Sequence, residues 1–310
     1  MTLQHNRLWR WLRWVLLGLI LLLWARTLYT QWPTLHALSW RVRWGWWILA
    51  LGALVAQMML LGTGWWWILD NVGVPLSWRA GAGIWLRAQI ARYLPGGFWD
   101  IAARAALGKA HAVAIRSAST AAVIEAWFQV ATAGTFLLFS VLLFPGPPLT
   151  PYLPWIALGL GTLIVFLLSS LLPVGLNLLL RRWHRPGPTL RFSWPDRLLL
   201  FGIYSLAHLL QGLGFLLFVW GLDVEGTTPL TGRFIPLLIS AYIGAWLVGY
   251  IAVFAPTGIG VREGALVLLL GPHLSLSVAI PAALGYRVWQ TLRDALMALV
   301  GWYLGRAEGR

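Results

Sequence analysis

Residues 46–69 read WWILALGALVAQMMLLGTGWWWIL, without one charged side chain and with tryptophans at both ends. A helix that crosses the hydrocarbon core of a bilayer needs about 20 mainly apolar residues, and indole rings favour the headgroup level. The stretch reads as a membrane span, with Trp46-Trp47 and Trp65-Trp66-Trp67 as interfacial anchors and no further role for them. Similar runs occupy about 11–30, 118–144, 153–180, 198–221, 234–255 and 277–305. The chain is 59% hydrophobic and 10% charged, whereas soluble domains carry roughly 25% charged residues. Such a composition excludes a water-soluble fold.

The net charge of +14 comes from 23 Lys+Arg against nine Asp+Glu, scattered between apolar runs. Without a compact basic face, nucleic acid is excluded as a partner; anionic lipid headgroups and topology control account for the charge. Cysteine is absent, which removes disulfides, thiolate metal sites and cysteine nucleophiles. Arg7, Arg10 and Arg13 precede the run Leu16–Trp24 as in a signal peptide, but a small-residue cleavage site is missing, so a retained anchor is expected.

The five arginines of 181–197 mark that loop as cytoplasmic, and the uncharged 145–151 turn and the acidic Asp223 and Glu225 mark the other side. The amino terminus is then cytoplasmic. Arg41 and Arg43 fall on the opposite side, an irregularity in this scheme. The side of the carboxyl terminus depends on whether 256–273 crosses or dips and returns.

Two segments are interrupted rather than continuous. Residues 80–111 contain Arg92-Tyr93-Leu94-Pro95-Gly96-Gly97-Phe98-Trp99-Asp100, with Arg104 following. Pro95 removes a backbone donor and the glycines permit unusual dihedrals. A chain broken in this way within a membrane must be buried in protein or line a cavity. A helix restarting near Phe98 would aim free amides and a positive dipole end at an anion such as a phosphate. Arg92 and Arg104 flank that point, and Asp100 stands one helical turn from Arg104, as in a local ion pair.

Residues 256–273 repeat the device as Pro256-Thr257-Gly258-Ile259-Gly260-Val261-Arg262-Glu263-Gly264 before an apolar run. Thr257 is a candidate helix cap. Glu125 interrupts an apolar span, as do Arg287, Arg293 and Asp294 in the last one; their cost in lipid implies an interior or watery path. Arg293 and Asp294 can neutralise each other, and Arg287 can snorkel. His208 and Gln211 face one way, as cavity groups or as interhelical hydrogen-bond partners. No metal-ligand spacing, Ser-His-Asp arrangement or phosphate loop is present, so no catalytic residue, metal or cofactor is assigned. Paired broken helices are the pattern of transporter substrate sites.

These motifs are similar to those of the lysylphosphatidylglycerol synthase transmembrane family, also described as flippase-like. The matching residues are Arg92–Gly97 with Arg104, Pro256–Gly264, and Tyr286-Arg287 in the last span. Thr257 stands where the family often has Gly, and Asp100 where it is more often neutral. The apolar runs predict an all-α integral membrane protein of the inner membrane, with about seven or eight spans in one transmembrane domain over 1–310, and the resemblance implies a polytopic bundle with two re-entrant or broken segments. In the aminoacyl-lipid synthases such a module is thought to move the modified phospholipid between leaflets. The soluble acyltransferase domain of those synthases has no counterpart in this sequence, so aminoacyl transfer is not carried over.

A lipid flippase or scramblase for an anionic phospholipid or polyprenyl-linked lipid is therefore expected. Its headgroup site would comprise Arg92, Tyr93, Gly96, Gly97, Arg104, Gly258, Gly260, Arg262 and Arg287, tuned by Asp100, Glu125, His208 and Glu263. An intramembrane lipid-modifying enzyme and an accessory subunit of a cell-envelope glycosyltransferase or synthase stay open, as does a homo-oligomer.

Overall fold

A computed structural model of the chain describes residues 40–93, 99–143, 150–169, 192–224, 234–252 and 255–306, with isolated positions besides. The expected first span, Gly96 and Gly97, and the arginine-rich 181–191 lie outside the described residues. Among those described, the helices are α1 (Trp44–Asn71), α2 (Trp78–Ala88), α3 (Trp99–Gly108), α4 (Ile115–Leu143), α5 (Leu153–Leu168), α6 (Trp194–Gly221), α7 (Phe234–Ile251), α8 (Val261–Leu270) and α9 (Leu276–Arg306). Within this set, α1, α4, α6 and α7 are long and apolar enough to cross a membrane. The protein is an all-α, multi-pass membrane protein.

Apolar side chains fill the interior as in a soluble fold, but they also cover the outside. Leu268 is 78% exposed and Leu299 65%, while Gln89 is 0% and Glu125 1% exposed. Lipid solvates the apolar exterior, and polar groups withdraw to where they can pair with each other.

Local sequence explains the helix ends. Ser193 caps α6: its hydroxyl accepts from the Asp196 backbone amide at 3.3 Å and Asp196 Oδ2 accepts from the Ser193 amide at 3.0 Å, a reciprocal arrangement that satisfies two orphan donors. Ser77 caps α2 in the same sense through the Ala80 amide. α1 lies along α6, α9 packs on α2, and α7 is flanked by α4, α6 and α8. Where α9 crosses α2 the backbones nearly touch: a Cβ at Gly301 would lie 3.1 Å from the Gly83 carbonyl oxygen.

A two-stranded antiparallel ribbon, β1 (Trp40–Val42) and β2 (Leu222–Val224), joins the start of α1 to the end of α6. Its register sets Arg41 opposite Asp223. Cross-strand opposite charges attract, so Arg41, one of the two basic residues that look misplaced in the loop count, stands opposite an acidic residue.

The tryptophans divide in a way composition does not reveal. Trp65 is fully buried, with the Arg104 guanidinium 5.8 Å from its ring centroid. Trp47 stacks on Phe218 at 4.7 Å and donates its indole N–H to the Phe218 carbonyl, while the Trp289 indole donates to the Trp47 carbonyl. Both were expected as interfacial anchors, and both instead tie helices together inside the bundle, where their N–H groups or faces find partners.

Candidate functional site

The turn Gln89–Tyr93 is a tight helical extension of α2, and α3 resumes at Trp99. Residues 94–98, on which the interruption expected in 80–111 falls, lie outside the described residues, between these two short helices. The second interruption is described throughout. Pro256–Gly258 form one tight turn, with Thr257 at φ 52° and Gly258 at φ 69°, and Gly260 at φ 80° leads into α8. A Cβ on Gly258 would lie 2.8 Å from the Gly249 carbonyl oxygen of α7; glycine serves both the backbone sign and the close approach.

One cavity of about 290 Å³ opens between these segments and the faces of α1, α4, α6, α7 and α9. Five arginines line it: Arg92, Arg104, Arg262, Arg287 and Arg293. Asp100, Glu125 and Asp294 are the carboxylates on its wall. Residues more than 150 positions apart in sequence, Arg92 and Tyr93 on one side and Thr257, Gly258 and Arg262 on the other, face the same space.

The charges fall into three clusters. In the first, Arg104 Nη2 pairs with Asp100 at 2.7 Å and its Nη1 with Glu125. Glu125 Oε1 also accepts from the Trp85 indole at 2.9 Å and from the Gln129 amide at 3.3 Å. In the second, Glu263 Oε1 lies 3.3 Å from Arg262 and 3.6 Å from Arg287, while its Oε2 accepts from the Gly260 amide at 2.7 Å. Glu263 therefore caps the positive end of α8, the role expected of Thr257. Thr257 uses its carbonyl and hydroxyl on Arg287 instead. Arg287, expected to snorkel, turns inward because that carbonyl is an interior partner.

In the third cluster, Arg293 and Asp294 neutralise each other at 2.7 Å, Arg293 Nη1 reaches Gln57 of α1 at 2.6 Å, and Tyr93 donates to Asp294 Oδ2 at 2.7 Å. Arg92 acts electrostatically on both Asp100 and Asp294, between the first cluster and the third.

Of the expected site residues, Arg92, Tyr93, Asp100, Arg104, Glu125, Gly258, Arg262 and Arg287 line the cavity. Gly260 and Glu263 are not among its lining residues. His208 does not line it: the ring lies 3.2 Å from the Gln129 carbonyl, 3.4 Å from Gln211 Oε1 and against Trp246, which is the interhelical reading of that residue. Gln57, Trp85, Gln89 and Gln290, which the sequence did not single out, do line it. An amide within an apolar helix carries the same cost in lipid as His208, and that was the signal available for the glutamines.

No group of His, Asp and Glu among the described residues is arranged to hold a metal ion. A comparison with curated proteins gives no match. A family model described as the lysylphosphatidylglycerol synthase TM region matches residues 11–298, through both interrupted segments and all three charged clusters. That match connects the chain with membrane lipids. Covering nearly the whole length, it shows that the protein belongs to the lysylphosphatidylglycerol synthase transmembrane-region family.

Proposed function

We propose that the protein moves a lipid with a phosphate-bearing headgroup, an anionic phospholipid or a polyprenyl-linked lipid, between leaflets as a flippase or scramblase. The observation that carries this reading is the single cavity in which five arginines meet three carboxylates between two chain interruptions. Guanidinium groups bind phosphate through paired N–H donors, and headgroup passage through a polar groove spares the lipid the cost of a bare charge in hydrocarbon. Arg262 and Arg287, which share one carboxylate, together with Arg92 and Arg104, are the phosphate contacts. The tails stay in lipid throughout.

In this reading 80–111 and 256–273 are re-entrant. The supporting fact is length: α2, α3 and α8 have 11, 10 and 10 residues, so each spans about 15 Å at 1.5 Å per residue, half the hydrocarbon thickness. Residues 1–310 form one transmembrane unit of the inner membrane, with the amino terminus cytoplasmic.

The test reconstitutes the pure protein in liposomes that hold a headgroup-labelled anionic phospholipid and adds dithionite from outside. Bleaching beyond the outer-leaflet fraction is expected, and Arg262→Ala and Arg92→Ala both slow it. Bleaching equal to that of empty liposomes, with phospholipid and polyprenyl-phosphate probes alike, refutes the reading. A chemically altered headgroup after incubation replaces transport with an intramembrane enzyme.

A further inference from the structure

The first cluster holds one cation and two carboxylates. Glu125 is 1% exposed and Arg104 5% exposed, whereas the Asp100 side chain is 22% exposed and also feels Arg92, so the carboxylate enclosed away from water is that of Glu125. Such a charge is retained only with a partner or a proton. An anionic headgroup that draws on Arg104 worsens the imbalance, since both guanidinium arms are already committed and only Nε is without a partner.

Gln89 supplies a second, independent observation. It is completely buried, faces the same cavity and donates its Nε2 to the Trp85 carbonyl at 3.0 Å. That bond fixes which way the amide points. Its Oε1 is left as a buried acceptor with no donor among the described residues, one helical turn from the Trp85 that holds Glu125. A buried acceptor of this kind marks where a donor arrives.

Resting on the transport reading above, we propose that Glu125 carries one proton with each lipid. The proton adds to the Glu125 oxygen that Arg104 releases as the phosphate arrives. Arg104 keeps Asp100, the other Glu125 oxygen keeps the Trp85 and Gln129 donors, and the new O–H has Gln89 Oε1 as its acceptor. When the lipid leaves, the proton returns to water and the Arg104–Glu125 pair re-forms. The carried set, one proton and one monoanionic headgroup, is neutral, which suits passage through a medium hostile to net charge.

The charged and titratable groups around Glu125 are consistent with this placement. Arg104 and Asp100 face it from α3, Tyr204 from α6 and Tyr250 from α7; Asp100 is the one other carboxylate among them, and it stays paired with Arg104 at 2.7 Å and in the field of Arg92.

The experiment uses the full chain in phosphatidylglycerol-containing liposomes with a trapped pH dye. The probe is phosphatidylethanolamine whose dye-capped amine leaves the headgroup a monoanion, and the membrane potential is clamped. One proton per lipid makes a gradient of one pH unit bias the probe about tenfold toward the leaflet facing the more alkaline side, with proton movement that depends on the probe. Glu125→Gln, which cannot take up the proton, loses both the bias and the probe-dependent proton movement. An even distribution in the wild type under either gradient, with no lipid-dependent change in the trapped dye, overturns the proposal and leaves the scramblase reading intact. No probe movement in the wild type overturns the transport reading itself. The wild-type measurement decides the matter even where the variant does not fold.

Discussion

The two interrupted segments bring mirrored charge to one cavity. At the first, a single cation, Arg104, sits between two carboxylates, Asp100 and Glu125; at the second, a single carboxylate, Glu263, sits between two cations, Arg262 and Arg287. Both segments read alike in sequence, each with proline, glycines, arginines and an acidic residue. Their difference lies in the ratio. The second end has a cation to spare for an anion, whereas the first has a carboxylate to spare for a proton. Counting arginines near a break therefore says less about its ligand than counting which of them are already matched.

Removing the central member of each cluster is the harshest way to break the mirror. Arg104→Ala leaves the enclosed Glu125 with no cation, and uncompensated buried charge costs about 3–5 kcal/mol. Thermal unfolding in detergent reads this as a large fall in melting temperature, and an unchanged value would mean that Asp100 and Glu125 do not depend on Arg104. Glu263→Ala has a smaller effect, about 1–3 kcal/mol, because Arg287 keeps the Thr257 carbonyl at 3.1 Å. The two variants should thus unfold in that order.

Much of the fold and part of this asymmetry can be read in the chain. Apolar runs fix the spans of α1, α4, α6 and α7 because lipid imposes a length, and Pro256 and Gly258 mark the second interruption because few residues tolerate such dihedrals. The partners of Arg104 divide along the same line. Asp100 is one turn away on its own helix and is visible from spacing, whereas Glu125 arrives from α4 and Trp85 from α2 through packing alone. Trp65 shows the limit from another side. Its place in a tryptophan cluster suggested the headgroup level, but the burial of Arg104 beside it is a tertiary fact. Gln89 offered the cost of an amide in an apolar helix as a signal, but its free acceptor shows only once its other end is committed to the Trp85 carbonyl.

The third cluster sharpens the comparison, since its charges are balanced one to one and it tethers the turn before the first interruption to α9. Tyr93→Phe removes the hydroxyl that donates to Asp294 at 2.7 Å. A hydrogen bond to a charged group contributes about 1.5–3 kcal/mol, and Asp294 keeps Arg293, so a loss at the low end of that range is expected. Hydrogen exchange of the 89–93 amides should rise in this variant more than exchange in α8. Equal protection at both places would show that Tyr93 does not anchor the first segment.

The smallest effect is at Thr257, where the second segment accepts a conformational cost that the first does not display among its described residues. Thr257 holds φ 52°, and a side chain with a Cβ in the left-handed region costs roughly 1–2 kcal/mol. Its hydroxyl bonds Arg287, so the strain is offset by an interaction with the site. Thr257→Gly removes the strain and the hydroxyl together, which should leave stability within about 1 kcal/mol of wild type once the larger unfolded-state freedom of glycine is counted. Thr257→Ala removes the hydroxyl and keeps the strain, so it should be less stable than the glycine variant by about 1 kcal/mol. Both lose one of the two contacts that Thr257 gives Arg287, and both should weaken phosphate-dependent transport alike. An alanine variant as stable as the glycine one would mean that position 257 does not hold the left-handed conformation in the folded protein, and that the threonine is kept for its hydroxyl alone.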